Sequence, residues 1–498
     1  AFARTVAGAG LVFIGPPPDA IATMGDKIAA RRVAIAAGLP TVPGTPDPVT
    51  GVDAAVVAAA GIGYPIAVKA SGGGGGRGFR VAPTEGDLAA AFEGASGEAA
   101  RYFGNPEVYL ERYIERPRHI EIQVMADAHG QVVALGERDC SIQRRHQKLI
   151  EETPSTAVDA PLRARLFEAS VSLARAVDYV GAGTIEYLLD CDGNFHFLEM
   201  NTRIQVEHTV TEMVTGIDLV REQILVARGE PLSFGQDEIH PRGWAIECRI
   251  NAEDPARDFA PTPGTLTRYR EPVGFGVRVD GALEQGDAIL PRYDSMIAKL
   301  VTWGNDRAEA TGRMSRALED FQVDGVATTV GFHRNVMRHP AFRKGEVSTS
   351  FLADYPEVIP RVHNRAAAAL PADDATDQIQ SLIVEVNGRR FEAIVRGMPA
   401  VPAQVSRKAR ARGGRKASRG SAGTASQDDL VSPIHGTVIR LSVHEGEAVA
   451  AGQVICVVEA MKMENELVAH KSGTVRALPI SVGSTVSIGQ PVVTIVDA

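Results

Sequence analysis

Along the N-terminal part of the chain, apolar residues fall into short β-branched runs and longer helical stretches. The runs that read as strands are Leu11-Val12-Phe13-Ile14-Gly15, Tyr64 to Lys69, Val108 to Ile114 and Pro117 to Val124, followed by Gly183 to Tyr187 and Asn194 to Asn201. The last two form a hairpin through Asp192-Gly193. Ala1 onward reads as the end of a helix. A further helix opens at Pro16-Pro17-Pro18-Asp19 and closes at Gly38-Leu39-Pro40, and another precedes Tyr64. If the strand ending at Asn201 stays extended, its period of two places Glu199, Asn201, Arg203, Gln205 and Glu207 on one face. A strand facing an apolar core would not carry that row.

From Pro360 the pattern changes. Ala366 to Asp377 is linker-like, and Leu382 to Val386, Asn387-Gly388 and Arg389 to Val395 predict a hairpin with a type I′ turn. A lone hairpin is marginal in water, so this one is expected to pair or dock elsewhere. Residues 399–429 carry seven positive charges, Arg407, Lys408, Arg410, Arg412, Arg415, Lys416 and Arg419, amid glycine, alanine and serine. As a flexible coil this tether spans roughly 30 Å.

The C-terminal end is an internal repeat with an offset of 37 residues: Gly436, Val438, Gly446, Val449, Gly452 and Gln453 recur as Gly473, Val475, Gly483, Val486, Gly489 and Gln490. Each half carries β-branched runs such as Val454 to Val458 and Val492 to Val496. Two such sets predict a flattened all-β barrel, with Lys462 on the turn where the copies meet. Lys462 stands between Met461 and Met463, and large apolar side chains beside an exposed lysine imply that something reads them.

Composition narrows the class. A chain of 498 residues with 44% hydrophobic and 23% charged positions can bury several cores, with two to four domains expected. The formal net charge of −9 argues against wholesale nucleic-acid binding, and no apolar stretch approaches the length of a membrane span. Cys140, Cys191, Cys248 and Cys456 lack metal-ligand or paired spacing, which fits a reducing, cytoplasmic setting.

Candidate chemistry clusters at three places. Lys69 ends a strand that runs into Ser71 to Gly78, where five consecutive glycines, Gly74, Gly75 and Gly76 among them, offer bare amides to phosphates. Neither a Walker motif nor a dinucleotide fingerprint is present. Gln143-Arg144-Arg145-His146-Gln147-Lys148 could meet an anion. Glu186 opposite Glu199 offers hard carboxylate oxygens for magnesium. Arg203 could clamp a planar anion, and Glu207 could act as a base.

Met24-Gly25-Asp26-Lys27, the 143–148 segment, the run Glu199 to His208 and Glu247 to Asp254 closely resemble the biotin carboxylase family, over nearly all of residues 1 to about 358. The Ala460-Met461-Lys462-Met463 stretch resembles the biotin-attachment domain of the same carboxylases. The combination resembles an acyl-CoA carboxylase alpha subunit, which implies an α/β ATP-grasp fold followed by a linker and an all-β biotinyl barrel. The resemblance implies that Lys27 and Lys69 contact ATP phosphates, that Glu111 and the Ile114 backbone read adenine, and that His119, Gln143 and His146 hold the nucleotide. It gives magnesium (or manganese) to Glu186, Glu199 and Asn201. Bicarbonate goes to Lys148, Arg203, Gln205 and the Val206 backbone, its proton to Glu207, stabilisation of the biotin enolate to Arg249, and covalent biotin to Lys462. The Tyr293 to Lys299 segment is a structural landmark.

The implied domains are a lobe remnant and linker helix (1–40), a lid (41–114), the carboxylase C-terminal domain (115–358), a linker with a hairpin at 380–397 (359–429) and the biotinyl domain (430–498). The implied partners are bicarbonate, a biotin protein ligase and a carboxyltransferase subunit in a hetero-oligomer that brings the acyl-CoA. Neither nucleic acid nor a membrane is expected. Family members carry a further N-terminal lobe, so the sequence reads as lacking part of the carboxylase. Two alternatives stay open: another ATP-grasp ligase, and a biotinylated carrier with an inactive nucleotide domain.

Overall fold

The structure, a computed structural model, describes residues 1–71, 78–361, 379–386, 389–396, 428–434, 436–460, 463–487 and 489–497. The glycine loop including Gly74, Gly75 and Gly76, the basic tether, and Met461 and Lys462 lie outside them. Two compact units are present: Ala1–Pro360 with Leu430–Ala498, and Arg361–Asp429.

The first unit opens on the helix Phe2–Gly8. The strand expected at Leu11 to Gly15 is not formed. Among the described residues no neighbouring strand ladders with it, and Leu11, Val12 and Ile14 stand exposed. The single helix expected before Pro40 is two, Pro18–Gly25 and Lys27–Ala36. The chain breaks at Asp26, which turns extended and caps the second helix by accepting from the Ala29 amide at 2.8 Å.

A three-stranded antiparallel sheet follows, with β1 (Ile66–Ala70) between β2 (Phe79–Ala82) and β3 (Val108–Arg112). Val52–Ile62 and Glu85–Phe103 cover it, burying Ala55, Ala59, Leu88, Phe92 and Ala95 against Ile66, Val68 and Leu110.

The central element is an eight-stranded antiparallel sheet. Its first strands are β4 (Arg118–Ala126), β5 (Val132–Arg144), β6 (Gln147–Thr153), β7 (Gly181–Leu189), β8 (Phe195–Asn201) and β9 (Trp244–Asn251). In space the order is Val277–Gly281, Met296–Gly304, β9, β6, β5, β4, β7, β8. Its two faces differ sharply. Ile120, Ile122, Val124, Ile185 and Tyr187 pack beneath Ala160–Ala176, and Ile246, Cys248, Ile250 and Leu300 join the helices that follow. The alternate positions, His119, Glu121, Gln123, Thr184, Glu186, Glu247 and Arg249, face the other way. The short helix His208–Thr215 covers part of that polar side, seating Val210 and Val214 on Ala245 and Val301.

In the second unit, Ile379–Val386 and Arg389–Arg396 pair antiparallel with Val386 opposite Arg389, so the expected hairpin is present.

The C-terminal barrel renders the repeat strand by strand. One sheet runs Asp429–Val431, Pro491–Val496, Gly473–Ala477, Ala448–Val449. The other runs Met463–Val468, Val454–Ala460, Gly436–Leu441, Thr485–Val486, and each strand stands at the 37-residue offset from its counterpart. The irregularities repeat too, with register shifts at Val438/Arg440 and Val475/Ala477. At Gly436 and Gly473 the backbone passes so close to a partner carbonyl that a Cβ would meet Glu459 O at 2.4 Å and Val496 O at 2.3 Å. Ala460 pairs with Met463.

These two glycines yield a paired expectation. Gly436→Ala and Gly473→Ala should each destabilise the barrel by about 1–3 kcal/mol through overpacking. Hydrogen exchange of the barrel amides measures it. Gly97→Ala, in the middle of the helix Glu85–Phe103 with open space at its Cβ, should instead stabilise by about 0.5–1 kcal/mol.

Candidate active site

The polar face of the large sheet gathers charge at its centre. The Lys148 Nζ donates to Glu121 Oε2 at 2.5 Å, Glu186 Oε1 at 2.9 Å and Glu207 Oε1 at 2.5 Å. Lys148 reaches them as the second residue of β6, just past the turn at Arg145 and His146, both at positive φ, which closes the β5–β6 hairpin. Three carboxylates around one ammonium need further cations. Arg138, fully buried on β5, bonds Glu121 Oε1 at 2.5 Å and also donates to Gln123, Thr184, Gln205 and Thr211. Arg249 on β9 bonds Glu151 Oε1 at 2.6 Å and Glu207 Oε2 at 3.0 Å.

The protonation states follow from this pairing. Burial pushes the Glu207 carboxyl up, but Lys148, Arg249 and Arg138 outweigh it and hold the group well below the usual carboxylate range. Glu186 is held down against burial in the same way by Lys148 and His119. Burial lowers the Lys148 ammonium, yet Glu121, Glu186 and Glu207 raise it well above its ordinary value. Burial likewise disfavours the charged His119 imidazole, and Glu186, 3.0 Å away, more than restores it.

The sequence row from Glu199 to Glu207 is only partly a strand. β8 ends at Asn201, the last residue paired with β7, and the chain then bends and turns into the helix at His208. A period of two therefore does not place Arg203, Gln205 and Glu207. The turn does, by folding the chain back over the polar face, so that Gln205 Nε2 donates to Glu186 Oε1 at 2.8 Å. Arg203 stays exposed, donating to Asn201 Oδ1 at 3.3 Å and to the Ile204 carbonyl. The Val206 carbonyl accepts from Lys299 at 3.2 Å. That brings a residue of the Tyr293 to Lys299 landmark to the site.

Glu186 and Glu199 lie directly opposite on β7 and β8, as the hairpin reading requires, and Asn201 Nδ2 bonds Glu186 at 2.9 Å. Among the described residues the donor sets close enough to share a metal are His119, Glu121 and Glu186, and Glu121, Cys140 and Glu207. Glu199 is in neither, although its charge reaches Lys27. The oxygen donors of Glu186, Glu199 and Asn201 suit a hard cation such as magnesium.

At the small sheet, Lys69 Nζ meets Glu111 Oε2 at 2.5 Å, and the Arg31 guanidinium holds the other oxygen at 2.7 Å. Lys27 starts its helix beside Ser71, whose carbonyl accepts from the Lys27 amide. The Phe79 ring sits 5.9 Å from the Lys69 ammonium and 5.4 Å from the His146 ring. Ile114, just past β3, is half-buried, and Gln143 lies opposite Lys148 in the β5–β6 hairpin.

Glu121, Arg138, Glu151 and Lys299 were not singled out in the sequence. A signal existed for the first: His119, Glu121 and Gln123 are polar at every second position of a strand whose other positions are Ile120, Ile122 and Val124.

This geometry defines an ATP-grasp carboxylase fold joined to a carrier barrel, and comparison with known proteins agrees. Residues 26–234 match the family described as carbamoyl-phosphate synthase L chain, ATP binding domain. Residues 247–354 match the biotin carboxylase C-terminal domain, and 428–495 match the family described as biotin-requiring enzyme. The chain is 44% identical over 504 residues to the biotin-dependent acyl-coenzyme A carboxylase alpha3 subunit of Mycobacterium leprae, covering 98% of this chain and 83% of that protein. It is 39% identical to the human mitochondrial propionyl-CoA carboxylase alpha chain, covering 98% and 78%. Among solved structures, the biotin carboxylase domain of Hydrogenobacter thermophilus 2-oxoglutarate carboxylase, in complex with MgADP, ADP and bicarbonate, superposes with a TM-score of 0.71. It shares 47% identity over 73% of this chain and 80% of that one. The chain belongs to the alpha-subunit family of biotin-dependent acyl-CoA carboxylases.

Two measurements probe the buried cluster. Arg138→Leu leaves Glu121 without one of its cations in the interior and should cost about 3–5 kcal/mol, read as a lower unfolding midpoint. Glu207 is ionised in the folded protein below its unfolded value. Its stabilisation is therefore present above about pH 4.3 and is lost as pH falls below that point. Melting temperature plotted against pH should drop less steeply on the acid side for Glu207→Gln than for the parent.

Proposed function

We propose that this chain carboxylates biotin carried on Lys462, using ATP and bicarbonate, and hands the carboxyl group to a partner carboxyltransferase that holds the acyl-CoA. The observation that carries the reading is the Lys148–Glu207–Arg249 arrangement: a buried carboxylate flanked by two cations that an incoming anion would also seek.

Bicarbonate binding at Lys148, Arg203, Gln205 and the Val206 backbone competes for the charges that hold Glu207 ionised. As the anion takes Lys148, Glu207 loses counter-charge, and its basicity rises where a proton must be removed. Arg138 orients Gln205 by occupying its carbonyl oxygen, which leaves the amide donor facing Glu186 and the site. Arg249 stabilises negative charge that develops on the acceptor. Glu186, Glu199 and Asn201 would hold magnesium, which when bound neutralises phosphate oxygens. Lys27 and Lys69 meet the phosphates together with the glycine loop at Gly74 to Gly76. Glu111 and Ile114 face adenine, with His119, Gln143 and His146 alongside. Binding of the nucleotide frees Lys69 from Glu111.

The domain boundaries read from the sequence belong to the same proposal, with the tether before residue 430 letting the carrier travel. So do modification of Lys462 by a biotin protein ligase, a hetero-oligomer with the carboxyltransferase, and a cytoplasmic location. All four cysteines are free, which suits a reducing compartment. No helix among the described residues is long and apolar enough to cross a membrane.

Glu207→Gln should lower bicarbonate-dependent ATP cleavage by about a hundred- to ten-thousandfold while nucleotide binding persists. Undiminished cleavage would remove Glu207 from the role of base. On co-expression with a biotin ligase, avidin should label the parent chain and leave Lys462→Arg blank. A persistent signal would move the attachment site elsewhere.

A further inference from the structure

Behind Arg249 lies a second pair of carboxyl groups. Glu151 on β6 and Glu247 on β9 stand directly opposite each other in the antiparallel ladder, and both are fully buried. Such opposed positions keep their Cβ atoms about 4.5–5.5 Å apart. Each group has one oxygen accounted for. Glu151 Oε1 accepts from Arg249 Nε at 2.6 Å and has Nη2 of the same guanidinium 2.5 Å away, and Glu247 Oε2 accepts from Thr209 Oγ1. The other oxygens, Glu151 Oε2 and Glu247 Oε1, are buried with no hydrogen-bond partner. Two ionised carboxylates cannot sit in this arrangement without a large desolvation and repulsion cost. A single proton held by the pair would remove one of the two charges and give the two orphaned oxygens a common hydrogen.

We propose that Glu151 and Glu247 share one proton, carried on Glu247 Oε1 and donated to Glu151 Oε2, and that this pair is the positioning support of Arg249. The second half rests on the reading of Arg249 given above. Arg249, Glu207 and Lys148 face Glu151, while Arg249, Lys299 and Thr209 face Glu247. Burial pushes Glu151 up to about 7 and Glu247 well above the ordinary carboxylate range, with Arg249 pulling each the other way. A neutral Glu247 leaves Glu151 as the one full charge that the guanidinium answers from behind, so its remaining donor stays with Glu207. A second full charge would draw the guanidinium away from Glu207. The Arg249 backbone is pinned independently, its carbonyl accepting from Thr329 Oγ1 at 2.8 Å and His333 Nε2 at 2.7 Å. The carboxyl pair therefore governs the direction of the side chain.

The test is infrared spectroscopy of the full chain combined with kinetics. The parent should show the carbonyl stretch of a protonated, buried carboxyl near neutral pH, and Glu247→Gln should lose it. Glu247→Gln keeps a donor toward Glu151 and should rescue turnover. Glu247→Leu removes the donor and should lower kcat by roughly ten- to a hundredfold with KM for ATP unchanged, the cost of a misdirected guanidinium. Absence of the band from the parent, or its persistence in Glu247→Gln, would overturn the shared proton even if the Leu variant does not fold. Equal turnover of the Gln and Leu variants would overturn the positioning role. Arg249→Met is measured alongside: unchanged carboxylation of biotin there would sink the reading of Arg249 itself, while the infrared band tests the proton alone.

Discussion

Lys148 sits between Glu121, Glu186 and Glu207, and the rest of the carboxylase part is arranged so that this can be so. Bringing three carboxylates together inside a protein costs several kcal/mol per ion in desolvation alone. One ammonium cannot offset that. Arg138 answers the far oxygen of Glu121, Arg249 answers Glu207, and His119 answers Glu186. These four cationic groups come from β4, β5, β6 and β9, which is why the site needs an unbroken sheet beneath it. A sheet can supply it because its two faces are independent: the same strands that put Ile122, Tyr187 and Ile250 into apolar cores project charge from the alternate positions.

That alternation also explains what could be read from the sequence. The β7–β8 hairpin, with Glu186 opposite Glu199, follows from local signals: β-branched runs, an Asp-Gly turn and a period of two. The barrel is legible for a stronger reason. Its 37-residue repeat fixes strands, bulges and glycine contacts twice over, so each half checks the other. What failed were inferences that needed a distant partner. Leu11 to Ile14 has strand composition, but among the described residues no neighbour ladders with it. The strand extended past Asn201 stops where its pairing with β7 stops. Residues 205 and 207 reach the site through a turn whose shape depends on the sheet beneath. Glu121 and Arg138 were passed over because a charged residue in a strand ordinarily reads as solvated, and only the eight-strand order shows that both are buried.

The pairing pattern bears on how such a site can bind anions at all. Among the described residues these buried cations are each committed: Lys148 to three carboxylates, Arg138 to Glu121, Arg249 to Glu151 and Glu207, Lys69 to Glu111. An anion that reaches these four groups therefore does not meet bare positive charge. It exchanges with carboxylates already present, and what changes is the state of the carboxylates left behind. Glu111 can turn to Arg31, which already holds its other oxygen. Beyond Lys148, Glu207 is bonded only to Arg249, which is itself shared with Glu151, while Arg138 acts without a direct bond. On the proposed binding of bicarbonate, Glu207 would give up Lys148 and be left with a shared cation, so its basicity would rise. In a site neutralised by its own residues, proton affinity is created by the arrival of the substrate, and it falls on the residue whose counter-charges the substrate takes.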